Sequence, residues 1–125
     1  MFVIKPIGGL GNCLRVVFSC FVKCKENNET LYVIWQPSAA CPGFFLDYFE
    51  EIEGITFSKT NNLGLKVDYH SCSSYPNYSI NLENLKLRPH LQKIVDNNIK
   101  LLDNNFIAIH IRRTDHPPYI NNKKH

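Results

Sequence analysis

Two short segments carry the residue types that do chemistry. His110-Ile111-Arg112-Arg113-Thr114-Asp115-His116 sets two adjacent arginines, half of the four in the chain, beside two histidines, a hydroxyl and a carboxylate. The planar fork of arginine makes paired, charge-assisted hydrogen bonds, which suits a diphosphate. Neighbours in an extended chain point to opposite faces. Arg112 and Arg113 would therefore do different jobs, one facing a phosphate and the other pairing with Asp115. The alternative is a solvated charge cluster with one salt bridge, worth about 1 kcal/mol or less. The second segment, Gly8-Gly9-Leu10-Gly11-Asn12, has three glycines in four residues. They admit positive φ and let backbone approach a ligand closely. A helix starting behind them would offer unpaired N–H groups and a partial positive charge, which favour an anion. The same glycines would serve equally as a tight strand-to-helix turn. The segment is neither a complete GxGxxG nor a P-loop sequence, so those chemistries find little support.

The elements that must position these segments can be read from periodicity. Phe2-Val3-Ile4, then Ile7, is a short apolar strand pattern that runs straight into the glycine segment. Residues 13–25 contain no Gly or Pro and predict a helix of about three turns. Arg15, Ser19 and Lys23 lie four apart on one narrow stripe and nearly everything else is apolar, so the helix is expected to be mostly buried against a sheet, with Asn12 as its N-cap. Leu31-Tyr32-Val33-Ile34-Trp35 is a run of strand formers. Strand, glycine turn, helix, turn and strand make a βαβ unit, which predicts a parallel sheet. A short amphipathic helix is expected over 44–53, a third strand at Ile55-Thr56-Phe57, and a loop over 58–84 with one strand near Leu65-Val67. A helix follows from 85 or 89 to 102, with Pro89 suited to its first turn. Phe106-Ile107-Ala108-Ile109 is a continuous apolar run, the signature of a buried parallel strand. That strand would deliver the arginine motif to a carboxyl edge, where ligands of open α/β folds bind.

At 125 residues and 44% apolar composition, the chain suits one globular α/β domain. No apolar run approaches the roughly 20 residues of a membrane span, and the N-terminus reads as a strand, not a leader. A cytoplasmic protein is expected. Residues 1–111 hold ten Lys/Arg against ten Asp/Glu, so the formal charge of +3 sits entirely in the last fourteen residues. A nucleic-acid binder would spread positive charge over a face; charge gathered at one end points to a local anion site. Five cysteines without a CxxC pair predict reduced thiols. Cys13, Cys20 and Cys24 share one helix face and are expected to pack as small hydrophobes, not to bind zinc. His70 and Cys72 could suggest a nucleophile pair but have no orienting partner in the sequence. Tyr69, Tyr75 and Tyr78 would form either a sugar-stacking surface or a half-buried loop.

Taken together and in this order, Gly8-Gly9-Leu10-Gly11-Asn12-x-Leu14-Arg15 and His110-Ile111-Arg112-Arg113-Thr114-Asp115 resemble the fucosyltransferases of the α1,2/α1,6 and protein O-fucosyltransferase superfamily. The second motif is most similar to that of the nodulation-type and α1,6 branch, and the resemblance covers residues 1–116. It implies the first, Rossmann-like half of a GT-B glycosyltransferase: an N-terminal domain over 1–105, a strand and motif over 106–116 that would open the second domain, and a polar tail over 117–125. It implies a metal-independent transfer of fucose from GDP-fucose to a hydroxyl of a glycan or glycoprotein, without cofactor or nucleic acid. Arg112 would stabilise charge developing on the departing GDP. His110 and Arg113 would shape the same donor pocket, and Gly9, Gly11 and Asn12 would close over the donor. A carboxylate would act as general base, and Asp115 is the one within the motif. In that family the motif opens the second, donor-binding half, so the resemblance implies a truncated enzyme here, inactive alone unless a second chain supplies most of the donor site. Two other readings stay open, a carbohydrate- or protein-binding remnant without transfer activity, and a different nucleotide-binding Rossmann-like domain.

Overall fold

The computed structural model describes residues 1–111. The chain divides into two compact units, 1–92 and 93 onward. In the first, β1 (Phe2–Pro6), α1 (Leu10–Glu26), β2 (Leu31–Ile34), α2 (Phe45–Tyr48), β3 (Ile55–Ser58) and β4 (Tyr69–Ser71) follow in order, and α3 (Pro89–Ile99) includes the division. The four strands form one sheet in the order β3-β2-β1-β4, with all three pairings parallel. With its flanking helices this is an α/β, Rossmann-like fold. Among the described residues no helix is long and apolar enough to cross a membrane.

The sheet grows outward from β1 on both sides. Phe2, Val3 and Ile4 pair with Leu31, Tyr32 and Val33, while Ile4, Lys5 and Pro6 pair with Tyr69, His70 and Ser71. Pro6 has no N–H to give the ladder, and the next donor, Ile7 N–H, reaches Ser71 O at 3.0 Å. At the opposite end Asp68 does two things. Its N–H donates to Val3 O at 2.7 Å, and its carboxylate accepts the Val3 N–H at 2.9 Å, so a side chain extends the ladder past the strand.

One face of the sheet and α1 make the core. Phe2, Ile4, Leu31, Val33 and Trp35 cluster with Cys13, Val16, Val17, Phe18, Cys20, Phe21 and Cys24. Each such apolar side chain contributes about 1.5–3 kcal/mol when fully withdrawn from water. A second centre is aromatic: Phe45, wholly buried, stacks on Phe57 at 3.9 Å between centroids and meets Trp35 and Phe49 at 5.5 and 4.9 Å.

The polar stripe of α1 is a seam, not a solvent face. The Arg15 guanidinium donates to Cys72 O at 3.0 Å, and Ser19 Oγ accepts the Tyr75 N–H at 2.9 Å while donating to Val16 O. Lys23 pairs with Glu29 at 3.0 Å and lies 3.8 Å from the centre of the Phe2 ring. The tyrosines close over this seam: Tyr75 touches Tyr69, Tyr78 and Phe2 edge-on or tilted, and the Tyr69 hydroxyl donates to the Ser73 and Ser74 carbonyls. Tyr69, Tyr75 and Tyr78 are all half-buried.

Four expectations need correction. The N-cap of α1 is Gly9, with extended backbone, and the helix begins at Leu10, so Asn12 lies inside the first turn, where its side-chain oxygen accepts from Arg15. The helix expected over 44–53 is a single turn, because Phe49 turns extended and the returning chain takes over its neighbours' backbone groups. Glu50 N–H donates to Lys86 O and Arg88 N–H to Tyr48 O, both at 2.9 Å. The fourth strand falls at Tyr69–Ser71, past Leu65-Val67. Finally, 106–109 forms no strand. Among the described residues it pairs with none, and Phe106, Ile107 and Ile109 are exposed. A strand buried on both faces needs neighbours along both edges, and no other strand occurs among the described residues of the second unit.

Candidate functional site

The strand order creates a switch point. From β1 the chain steps to β2 and β3 on one side, then returns to β4 on the other. In open α/β sheets the crevice outside the carboxyl ends at such a point is where ligands bind. A cleft of about 300 Å³ lies there. Its floor is the end of β1, Lys5, Pro6, Ile7 and Gly8. One wall is Trp35 to Ser38 after β2, and the rest is Cys13, Cys41 and His70.

The glycine segment makes this floor turn sharply. Gly8 has φ +98°, a left-handed value, and a Cβ there would stand 3.0 Å from the Asn12 side chain. α1 then begins with no side-chain cap, so the N–H groups of Leu10, Gly11 and Asn12 lack the partner that an N-cap Ser or Asp gives. A Cβ on Gly11 would meet nothing within 4 Å. The two glycines are thus held to different constraints. Gly8→Ala is expected to cost about 1–2 kcal/mol from the left-handed backbone. Gly11→Ala should raise stability by about 0.5–1 kcal/mol, because alanine is the better helix former. Urea melts of the two variants check the opposite signs.

The predicted site residues are only partly assembled. Gly9, Gly11 and Asn12 sit in the turn and first helical turn beside the cleft, without lining it. His110 lies in the second unit and is exposed. Arg112, Arg113 and Asp115, with the rest of the motif and the 117–125 tail, lie outside the described residues. The sequence reading did not single out Lys5, and it weighed His70 only beside Cys72, not beside Lys5. The signal for Lys5 was the one charged residue in Phe2-Val3-Ile4-Lys5, at the end that meets the glycines.

The thiols divide sharply. Cys13, Cys20, Cys24 and Cys41 are buried and Cys72 is exposed, all free. Burial pushes the Cys13 thiol up to about 12, with the neighbouring Cys41 adding to it. Cys20 is also pushed up to about 12, by burial and then by Cys24. Burial raises Cys24 and Cys41 too. Such thiols are poor nucleophiles. A disulfide reagent at pH 8 should therefore label one thiol per chain rapidly, at Cys72, and the other four only in denaturant. The linkage has a definite sign. Because the folded-state values are raised, this contribution is complete below the ordinary thiol value of 9.0 and is lost as pH climbs through about 12. Urea midpoints should fall over that window, and more shallowly in Cys20→Ala.

No family model, curated protein or solved structure matches the chain.

Proposed function

We propose that this chain is the N-terminal, Rossmann-like half of a GT-B glycosyltransferase of the fucosyltransferase kind, moving fucose from GDP-fucose to a hydroxyl of a glycan or glycoprotein. One observation carries the reading. The uncapped glycine turn between β1 and α1 lies beside a cleft at the switch point, the place where such folds take nucleotide ligands. The paired motifs quoted above give the ligand its identity. In this reading the acceptor oxygen bonds to the anomeric carbon as the bond from that carbon to the β-phosphate oxygen breaks, leaving GDP with the electron pair. Arg112 meets the charge developing on the diphosphate, with His110 and Arg113 beside it, so no metal is required. Asp115 takes the acceptor proton. Gly9, Gly11 and Asn12 lie against the donor, with the open space at Gly11 available for it. Free thiols at all five cysteines fit a reducing, cytoplasmic setting.

Melting curves with GDP, GDP-fucose, UDP and ADP test the nucleotide. A ligand at a hundred times its Kd adds about 2.7 kcal/mol of stability. The guanine nucleotides are expected to raise the melting temperature, and UDP and ADP to leave it in place. Preference for ADP would transfer the site to the second reading, a different nucleotide-binding Rossmann-like domain, which the switch-point position of the cleft would serve equally.

A further inference from the structure

Two basic side chains, Lys5 and His70, share the cleft, and no acid is among its lining residues. Lys5 and His70 are register partners on the adjacent parallel strands β1 and β4, so their side chains leave the same face of the sheet at its carboxyl end. That face is opposite the one on which Ile4 and its register partner Tyr69 pack with α1. Lys5 is half-buried and His70 exposed, and both line the cleft. Among the described residues neither side chain makes a hydrogen bond or ion pair, and no Asp or Glu lines the cleft. Asp68, two residues before His70, has its carboxylate committed to the Val3 N–H. Other strongly polar groups of the wall, Gln36 and Ser38, add neutral hydrogen-bonding capacity. Lys5 has no counter-ion among the described residues, so an anion in the cleft would meet a positive group with no competing carboxylate.

We infer that Lys5 and His70 form an oxyanion subsite in this cleft, which holds a phosphate or carboxylate group of the ligand. Lys5 supplies the charge and up to three donors, and His70 supplies an imidazole N–H. The inference rests on the reading of the cleft as the ligand site, but not on the identity of the nucleotide. The two sources of such a group are the diphosphate of a donor and an acidic sugar on an acceptor.

Titrations followed by the His70 imidazole resonances separate them, using inorganic pyrophosphate, glucuronate and neutral glucose on the full chain. Lys5→Gln and His70→Gln are the test variants, and Lys66→Gln, an exposed lysine outside the cleft, is the control. Saturable shifts with pyrophosphate, weakened about tenfold or more by either test variant and untouched by the control, establish the subsite with phosphate as its group. The same pattern with glucuronate alone establishes it with a carboxylate. His70→Gln, on the exposed edge strand, keeps the test valid if Lys5→Gln does not fold; its binding is read by calorimetry. Anions that leave the His70 resonances in place, or variants that bind as the parent does, overturn the inference. GDP binding that fails in Arg112→Ala but survives in Lys5→Gln, with glucuronate unbound by the parent, would remove the subsite and leave the nucleotide reading intact. Pyrophosphate held through Lys5 and His70, with GDP no tighter, would keep the subsite and remove the nucleotide reading.

Discussion

Phe45→Ala is expected to cost about 3–5 kcal/mol, the range for truncating a wholly buried phenylalanine. A unit of this size holds only about 5–14 kcal/mol in all. The loss is large because one ring serves three neighbours. Phe45 stacks on Phe57 of β3, meets Trp35 beyond β2 and packs on Phe49 where the chain leaves α2. A cavity there cannot be filled by sliding one element, since β2 and β3 are fixed to each other in register. The effect should also reach the cleft, because Trp35 lines it and holds the 43 turn through its indole N–H on Gly43 O at 2.9 Å. Urea unfolding followed by the fluorescence of the single tryptophan checks both points. A loss under 1 kcal/mol would mean that the aromatic cluster is not the second core.

Ser19→Val is expected to have the next largest effect. Among the described residues Ser19 is the one polar residue fully inside the core, and its hydroxyl is the partner of the Tyr75 N–H. Valine removes that acceptor, which leaves the amide unpaired at a cost of about 1–3 kcal/mol. It also puts an extra branch into a closed site, for about 1–3 kcal/mol more. The damage should be directional: hydrogen exchange at Tyr75 rises far more than at β1 or β2. Uniform loosening of the whole unit would contradict the assignment of Ser19 as the tie between α1 and the tyrosine loop.

These two residues also mark where the sequence was readable and where it was not. β1, α1 and β2 were legible because each has a local cause: apolar strand formers, a glycine turn, and a long stretch free of Gly and Pro. The parallel pairing followed from their order. The Arg15, Ser19 and Lys23 stripe was visible, but its purpose was not, since the loop that it receives begins about fifty residues later. β4 is an edge strand of three residues, one face polar, so it lacks an apolar run. Its signal was the alternation of Leu65, Val67, Tyr69 and Ser71 with Lys66, Asp68 and His70, which continues past the point where a strand was expected. α2 stops early for a non-local reason, the return of 86–88 alongside 48–50. The run at 106–109 shows the converse. Apolar residues state a demand for burial, but they do not name the partner that would meet it. For the site, the glycine turn was legible as backbone geometry. The pairing of Lys5 with His70 depends on β4 lying beside β1, which no local pattern encodes.

The central claim, a guanine-nucleotide diphosphate bound through Arg112, is tested most directly by calorimetric titration of GDP and GDP-fucose into the protein and into its Arg112→Ala variant. The account predicts saturable heat for the parent and, with the paired charge-assisted bonds of one arginine gone, binding weaker by about tenfold or more in the variant. Equal binding by parent and variant, or no heat from either at millimolar ligand, would contradict it.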